Sequence, residues 1–155
     1  MNLILTSILL PILFLGGLGP MEIFVILITL GLLLIPQFFY LMTLQSTIKE
    51  INSDNRKIQP NEIWLILIPL LGFIWHFIII NRMADSLKAE FTQRNIANDE
   101  ERPGYSIGLA YCILFCCSII PAIGGLAFLG GFVCWIIYWV KINGYKLKLQ
   151  QNRHF

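Results

Sequence analysis

Long apolar runs separated by three short charged stretches set the pattern of this chain. The runs cover residues 3–15, 21–42, 63–80, 105–120 and 126–140. Crossing a hydrocarbon core of about 30 Å takes about 20 helical residues, with a range of about 17–25. The first and fourth runs, of 13 and 16 residues, are short. Thinning of the bilayer, tilt of neighbouring helices or partial insertion is expected there. Turn signals punctuate three places: Gly16-Gly17-Leu18-Gly19-Pro20, Ile68-Pro69-Leu70-Leu71-Gly72, and Pro121-Ala122-Ile123-Gly124-Gly125. The middle one falls inside the third run.

Two of these turns belong to an internal repeat. Ile68-Pro69-x-x-Gly72 matches Ile120-Pro121-x-x-Gly124, and residues 75–88 lie on residues 135–148 without gaps, Trp on Trp and Leu-Lys on Leu-Lys. The second copy is longer by eight residues between Gly and Trp, and its incoming limb is longer by a similar amount. Shortening both limbs of a hairpin equally lowers its tip and keeps it a hairpin. Residues 62–81 therefore read as a re-entrant hairpin, entering and leaving on one side; the alternative is a single proline-kinked span.

Three helices continue past the apolar runs as amphipathic extensions. Leu44 and Ile48 follow the second run; Met83, Leu87 and Phe91 follow the third; Tyr145 and Leu149 follow the fifth, all at helical spacing beside charged neighbours. These stripes either pack on one another, lie in the headgroup layer, or dock a partner; the docking reading makes them the first place to look for function. Residues 52–55 and 98–104 read as loops. The predicted architecture is all-α: a polytopic membrane bundle of helical hairpins forming one domain over residues 1–155, with about four spans plus the re-entrant hairpin, or five spans in the alternative. Its parts are a first helix pair over 2–43 with a cytosolic extension to 51, a short hairpin with its extension over 61–92, and a closing pair over 105–150.

Composition supports the membrane reading. The chain is 57% hydrophobic and 13% charged, with a mean hydropathy of +0.73, whereas a soluble domain carries about 25% charge. All eleven Lys and Arg residues fall within residues 49–57, 82–102 and 141–153. A cation at mid-bilayer costs about 2.5–3.5 kcal/mol on insertion scales, so these stretches mark what is wet. With a re-entrant middle all eleven share one compartment; with a single span they divide eight to three. The positive-inside rule prefers the first, with the basic segments and C-terminus cytoplasmic. Covering non-helical backbone at membrane depth is the cost of the hairpin. The net charge of +2 gives no reason to expect nucleic acid. Residues 1–15 lack a basic n-region and a good cleavage site, and read as a retained helix and not as a secretory signal.

Few residues carry candidate chemistry. Glu22, far from any other charge, follows the glycine-rich turn at a helix start, where a carboxylate gains from the helix dipole; an ion- or proton-binding carboxylate is the alternative. His76 lies in an apolar run, either bonded within the bundle or carrying a proton. Gly108, Cys112 and Cys116 share one helix face, and Ala127, Gly131 and Cys134 form a second small-residue stripe, which would let the closing helices approach closely. A metal site lacks both a C-x-x-C spacing and a second membrane histidine. Trp64, Trp75, Tyr105, Trp135, Tyr138 and Trp139 fit an aromatic belt at the interfaces. There is no Ser/His/Asp set, no phosphate-cradling loop and no paired membrane carboxylate, so neither an enzyme nor a cofactor is expected.

Residues 64–75, Trp-Leu-Ile-Leu-Ile-Pro-Leu-Leu-Gly-Phe-Ile-Trp, running on to Ala84-Asp85-Ser86-Leu87, resemble an uncharacterised bacterial family of small multipass membrane proteins. The likeness centres on residues 61–91 and extends over about 21–150. The chain has Gly72 where Asn is common in that family and lacks a second proline after Trp75. The resemblance implies architecture and a bacterial inner-membrane setting, and no activity. The start Gly16-Gly-Leu-Gly-Pro-Met-Glu22 is also similar to twin-arginine translocase pore subunits, but Ile35-Pro36-Gln37 replaces their hinge and further apolar runs follow. The expected function is a non-enzymatic accessory or scaffold subunit in contact with lipid and with another membrane protein or further copies of itself. The alternative is a small oligomeric channel or transporter using Glu22 or His76.

Overall fold

A computed structural model describes residues 19–68 and 71–153. The predicted helix over residues 3–15 and the turn residues Gly16, Gly17 and Pro69 lie outside the described residues. Every regular element among the described residues is helical: α1 (Pro20–Glu50), α2 (Leu71–Gln93), α3 (Tyr105–Cys117) and α4 (Gly124–Gln151), with 3-10 turns at Ser53–Asn55 and Glu62–Leu67. Two compact units meet inside α1, one ending at Phe39 and the other running from Tyr40 to the C-terminus.

In the first unit, α1 begins where its sequence says it should. Pro20 takes the first helical position, where its missing N–H costs nothing. Gly19 caps the helix, its carbonyl accepting from Glu22 N at 3.0 Å and Ile23 N at 3.1 Å. Beyond the cap, α1 exposes apolar side chains on every side, including Met21, Phe24, Val25, Leu27, Leu32, Leu34 and Ile35.

In the second unit, residues 62–82 double back on themselves. The incoming limb is a 3-10 helix over Glu62–Leu67, and it stops there because Ile68 precedes Pro69 and is driven to an extended conformation (φ −77°, ψ 118°). The outgoing limb begins α2. Trp75 Nε1 donates to the Glu62 carbonyl at 2.7 Å, and the Arg82 and Glu62 side chains pair at 3.5 Å. One straight crossing would set Glu62 and Arg82 roughly 30 Å apart. Here they are neighbours.

The fold-back depends on Gly72, where an added Cβ would lie 2.2 Å from the Ile66 carbonyl oxygen. The repeat copy does the same: a Cβ on Gly124 would lie 2.5 Å from the Ser118 carbonyl oxygen. In both copies the glycine meets the carbonyl six residues earlier.

Residues 40–50 of α1, the second half of α2 and the end of α4 form a head with a closed core. Leu44, Ile48, Met83, Leu87 and Leu149 are all 0% exposed, and Phe91 and Tyr145 are buried with them. This corrects the docking stripe: those side chains fill the inside of the head and are not free for a partner. Three apolar stripes at one end of a bundle cover one another when their helices converge. Tyr138 and Trp135 are likewise core residues and not part of an interfacial belt.

The small-residue stripes are corrected in part. Gly108 is buried where a Cβ would come within 2.8 Å of both Ile80 Cγ2 and Tyr138 Cε2, so it lets α2 and α4 close on α3. Gly131 receives Leu114 and Phe115, and Ala127 and Cys112 are buried. Cys116, however, is exposed and Cys134 is only half-buried. The faces that meet are therefore Gly108 against Ile80 and Tyr138, and Gly131 against Leu114 and Phe115, and not one stripe against the other.

Two described helices, α1 and α4, are long and apolar enough to cross a membrane. With 13 residues α3 is about 20 Å long, shorter than one hydrocarbon core. The core helix of a soluble protein would be mostly buried, yet the apolar windows of α1 and α4 are 6% and 28% buried.

Candidate functional site

The most elaborate polar arrangement lies at the far end of the head, around Glu90. This carboxylate is 1% exposed. It accepts from Arg94 Nε at 2.7 Å, Asn55 Nδ2 at 2.6 Å and Asn52 N at 3.0 Å. Arg94 spends its other donors on the carbonyls of Leu149 and Glu50, both at 3.0 Å. A single guanidinium thus caps the C-terminal ends of α1 and α4 from the turn just past α2, where the helix dipoles favour a cation. The end of α2 is closed by Asn95 at positive φ (52°), with Ile96 N bonded back to Phe91 O at 2.9 Å, a Schellman turn. Arg56 repeats the device on α1, donating to Ile51 O at 2.8 Å and Lys49 O at 3.0 Å.

Two further carboxylates tie the head together. Burial pushes the Glu50 carboxyl up, but hydrogen bonds from Gln150 and Arg153 and the charges of Arg153 and Lys146 outweigh it and hold Glu50 below its ordinary value. Glu100 follows the same balance: burial raises it, while Lys141, the Gly104 N–H and Tyr145 together lower it. Burial and the adjacent Glu100 push the Tyr145 hydroxyl up to about 12. Arg102 stacks over the Tyr105 ring at 4.0 Å and pairs with Asp85 at 2.8 Å, fastening the 94–104 loop to α2.

A carboxyl depressed in the folded state contributes stability above its unfolded value, and that stability is lost as pH falls through the folded value. Glu50 and Glu100 therefore stabilise the head at neutral pH and stop doing so as pH drops below about 4.5, the ordinary value of a glutamate. Glu50→Gln is expected to flatten the acid limb of the unfolding midpoint against pH; an unchanged limb would show that the Gln150–Arg153 clamp carries no folding energy.

The polar residues singled out from sequence serve local backbone. Glu22 Oε2 accepts from Gly19 N at 2.8 Å, the return arm of a capping box. His76 Nδ1 lies 2.9 Å from the Gly72 carbonyl; a carbonyl only accepts, so Nδ1 carries the proton. Its ring stands edge-on to Tyr111 at 6.0 Å. The two candidates for a transport path thus close a helix start and the base of a hairpin turn. The four cysteines are free, and among the described residues no group of three or more His, Cys, Asp or Glu could hold a metal ion.

Sequence reasoning passed over Glu90 and Arg94. The signal was present: Glu90 stands seven residues past Met83 and three past Leu87, on the apolar face, with Arg94 one turn on.

Comparison with protein-family models, with curated proteins and with solved structures finds no match.

Proposed function

We propose that this chain is an integral membrane protein acting as a non-enzymatic accessory or scaffold subunit of a membrane complex. The observation that carries the reading is the fusion of three helix ends into one closed, ion-paired head, while large apolar side chains stay exposed on α1, on the tip of the 62–82 hairpin and on α4. Leu67, Ile68, Leu71, Phe73 and Ile74 expose apolar surface at that tip, as do Leu126, Leu129, Val133 and Val140 on α4. Exposed apolar side chains in this number mark contact with lipid or with another protein.

In this reading α1 crosses the bilayer, the 62–82 hairpin re-enters from the head side, and α3 and α4 form the closing pair. From Leu71 to Arg82 the outgoing limb rises about 17 Å, roughly half the hydrocarbon core. Contacts between the basic segments support a common side: Lys57 N donates to Ser86 Oγ at 2.8 Å, and Asn52 and Asn55 reach Glu90. The positive-inside rule then makes the head cytoplasmic, in the inner membrane if the chain is bacterial. With the head core closed, a partner meets the membrane-level faces or the polar rim of the head.

Purification of the tagged chain from native membranes, followed by mass spectrometry, tests this. A stoichiometric heterologous membrane protein is the expected result. Recovery of the chain with only copies of itself would overturn the accessory role.

A further inference from the structure

The hydroxyl of Tyr138 is sealed from solvent and has no hydrogen-bond partner among the described residues. Tyr138 stands on α4 against two other fully buried tyrosines. Its ring lies 6.3 Å from that of Tyr40 on α1 and 5.5 Å from that of Tyr111 on α3. The hydroxyls of Tyr40 and Tyr111 are 3.0 Å apart. One of them donates to the other, which uses one of their two protons. The second proton faces the Cys112 thiol beside Tyr111, and sulfur is a weak acceptor. The cluster therefore holds one hydroxyl proton with no acceptor, that of Tyr138, and one from the Tyr40–Tyr111 pair whose acceptor is sulfur.

One oxygen with free lone pairs among these groups would satisfy both. We propose that Tyr40, Tyr111, Cys112 and Tyr138 form a site for a single bound water. That water accepts from Tyr138 and from the spare hydroxyl of the pair, and donates back to the phenolic oxygens. Buried waters hold their place with about three such bonds. Tyr138 lies within electrostatic reach of both other tyrosines. Gly104, at φ +74°, comes between Tyr138 and Tyr145, and a Cβ there would lie 3.4 Å from one ring and 3.5 Å from the other. Without a side chain, this residue leaves Tyr138 one backbone thickness from the Glu100–Lys141–Tyr145 network. The inference rests on this geometry and is independent of any partner.

Tyr138→Phe keeps the ring and removes only the hydroxyl. With a bound water, the unfolding midpoint of the full chain in detergent falls by about 2–4 °C, the shift for the loss of roughly one hydrogen bond in a chain of this size. The effect shrinks when Tyr40→Phe is already present, because the two hydroxyls share the water. An unchanged or raised midpoint would overturn the proposal, since that is the outcome of deleting a hydroxyl with no partner. Strict additivity with Tyr40→Phe would overturn it as well. Should Tyr40→Phe fail to fold, magnetisation transfer from water to the Tyr138 ring protons of the unsubstituted chain in nanodiscs decides: a cross-peak is expected, and its absence would overturn the site.

Discussion

Arg94→Met lowers the unfolding midpoint of the solubilised chain by roughly 6–20 °C. Breaking a buried ion pair from one side costs about 3–5 kcal/mol, and each kcal/mol moves the midpoint by about 2–4 °C at this size. Arg94 keeps 23% of its side chain exposed against 1% for Glu90, which places the effect in the lower half of that range. Three losses act together: Glu90 is left charged in the core, and the carbonyls of Glu50 and Leu149 lose their donor. The double variant Glu90→Gln, Arg94→Met is expected to be more stable than Arg94→Met alone, because no uncompensated charge is then buried. Thermal unfolding followed by tryptophan fluorescence reads both. A shift no larger than that of the exposed Lys148→Met would show that the head does not hang on this node.

Gly72→Ala has the second large effect. Overpacking a core by one or a few methylenes costs about 1–3 kcal/mol, and those cases involve side chains that can move aside. At Gly72 the new carbon would meet a backbone carbonyl at 2.2 Å, and the carbonyl cannot turn away without opening the hairpin. Opening it separates Trp75 from the Glu62 carbonyl and Arg82 from the Glu62 side chain. Loss of the monodisperse species on size exclusion is expected. Gly31→Ala is the control: it also lies within a helix, but nothing is within 4 Å of its added carbon, and alanine is the better helix former. Equal behaviour of the two variants would remove the fold-back from the account.

Much of this architecture was legible in the residues. The partition of charge located the head, and the Ile-Pro-x-x-Gly repeat located both fold-backs, because a proline fixes its own φ and a glycine leaves room for a close backbone approach. What the residues did not reveal was where each apolar face went. Leu44, Met83, Phe91 and Leu149 have the spacing of a docking stripe and equally that of a core stripe; only the convergence of α1, α2 and α4 separates the two. Trp135 and Tyr138 misled for the same reason, since an aromatic at the membrane edge fits a belt or a core equally well. Cys116 shows the limit of small-residue spacing, which marks a face without saying what meets it. Glu90 was passed over because a carboxylate beside an arginine reads as a solvated pair until three helix ends enclose it.

The central claim is that the basic segments share one membrane face and residues 62–82 return to the side they leave. Single cysteines at Ser53 and Ala97, both exposed, probe the segments before and after that hairpin. An impermeant thiol reagent, applied to right-side-out and to inverted membrane vesicles and read against the unsubstituted chain, reports the side of each. The account predicts that both label only in inverted vesicles, from the cytoplasmic side. Labelling of the two from opposite sides would contradict it.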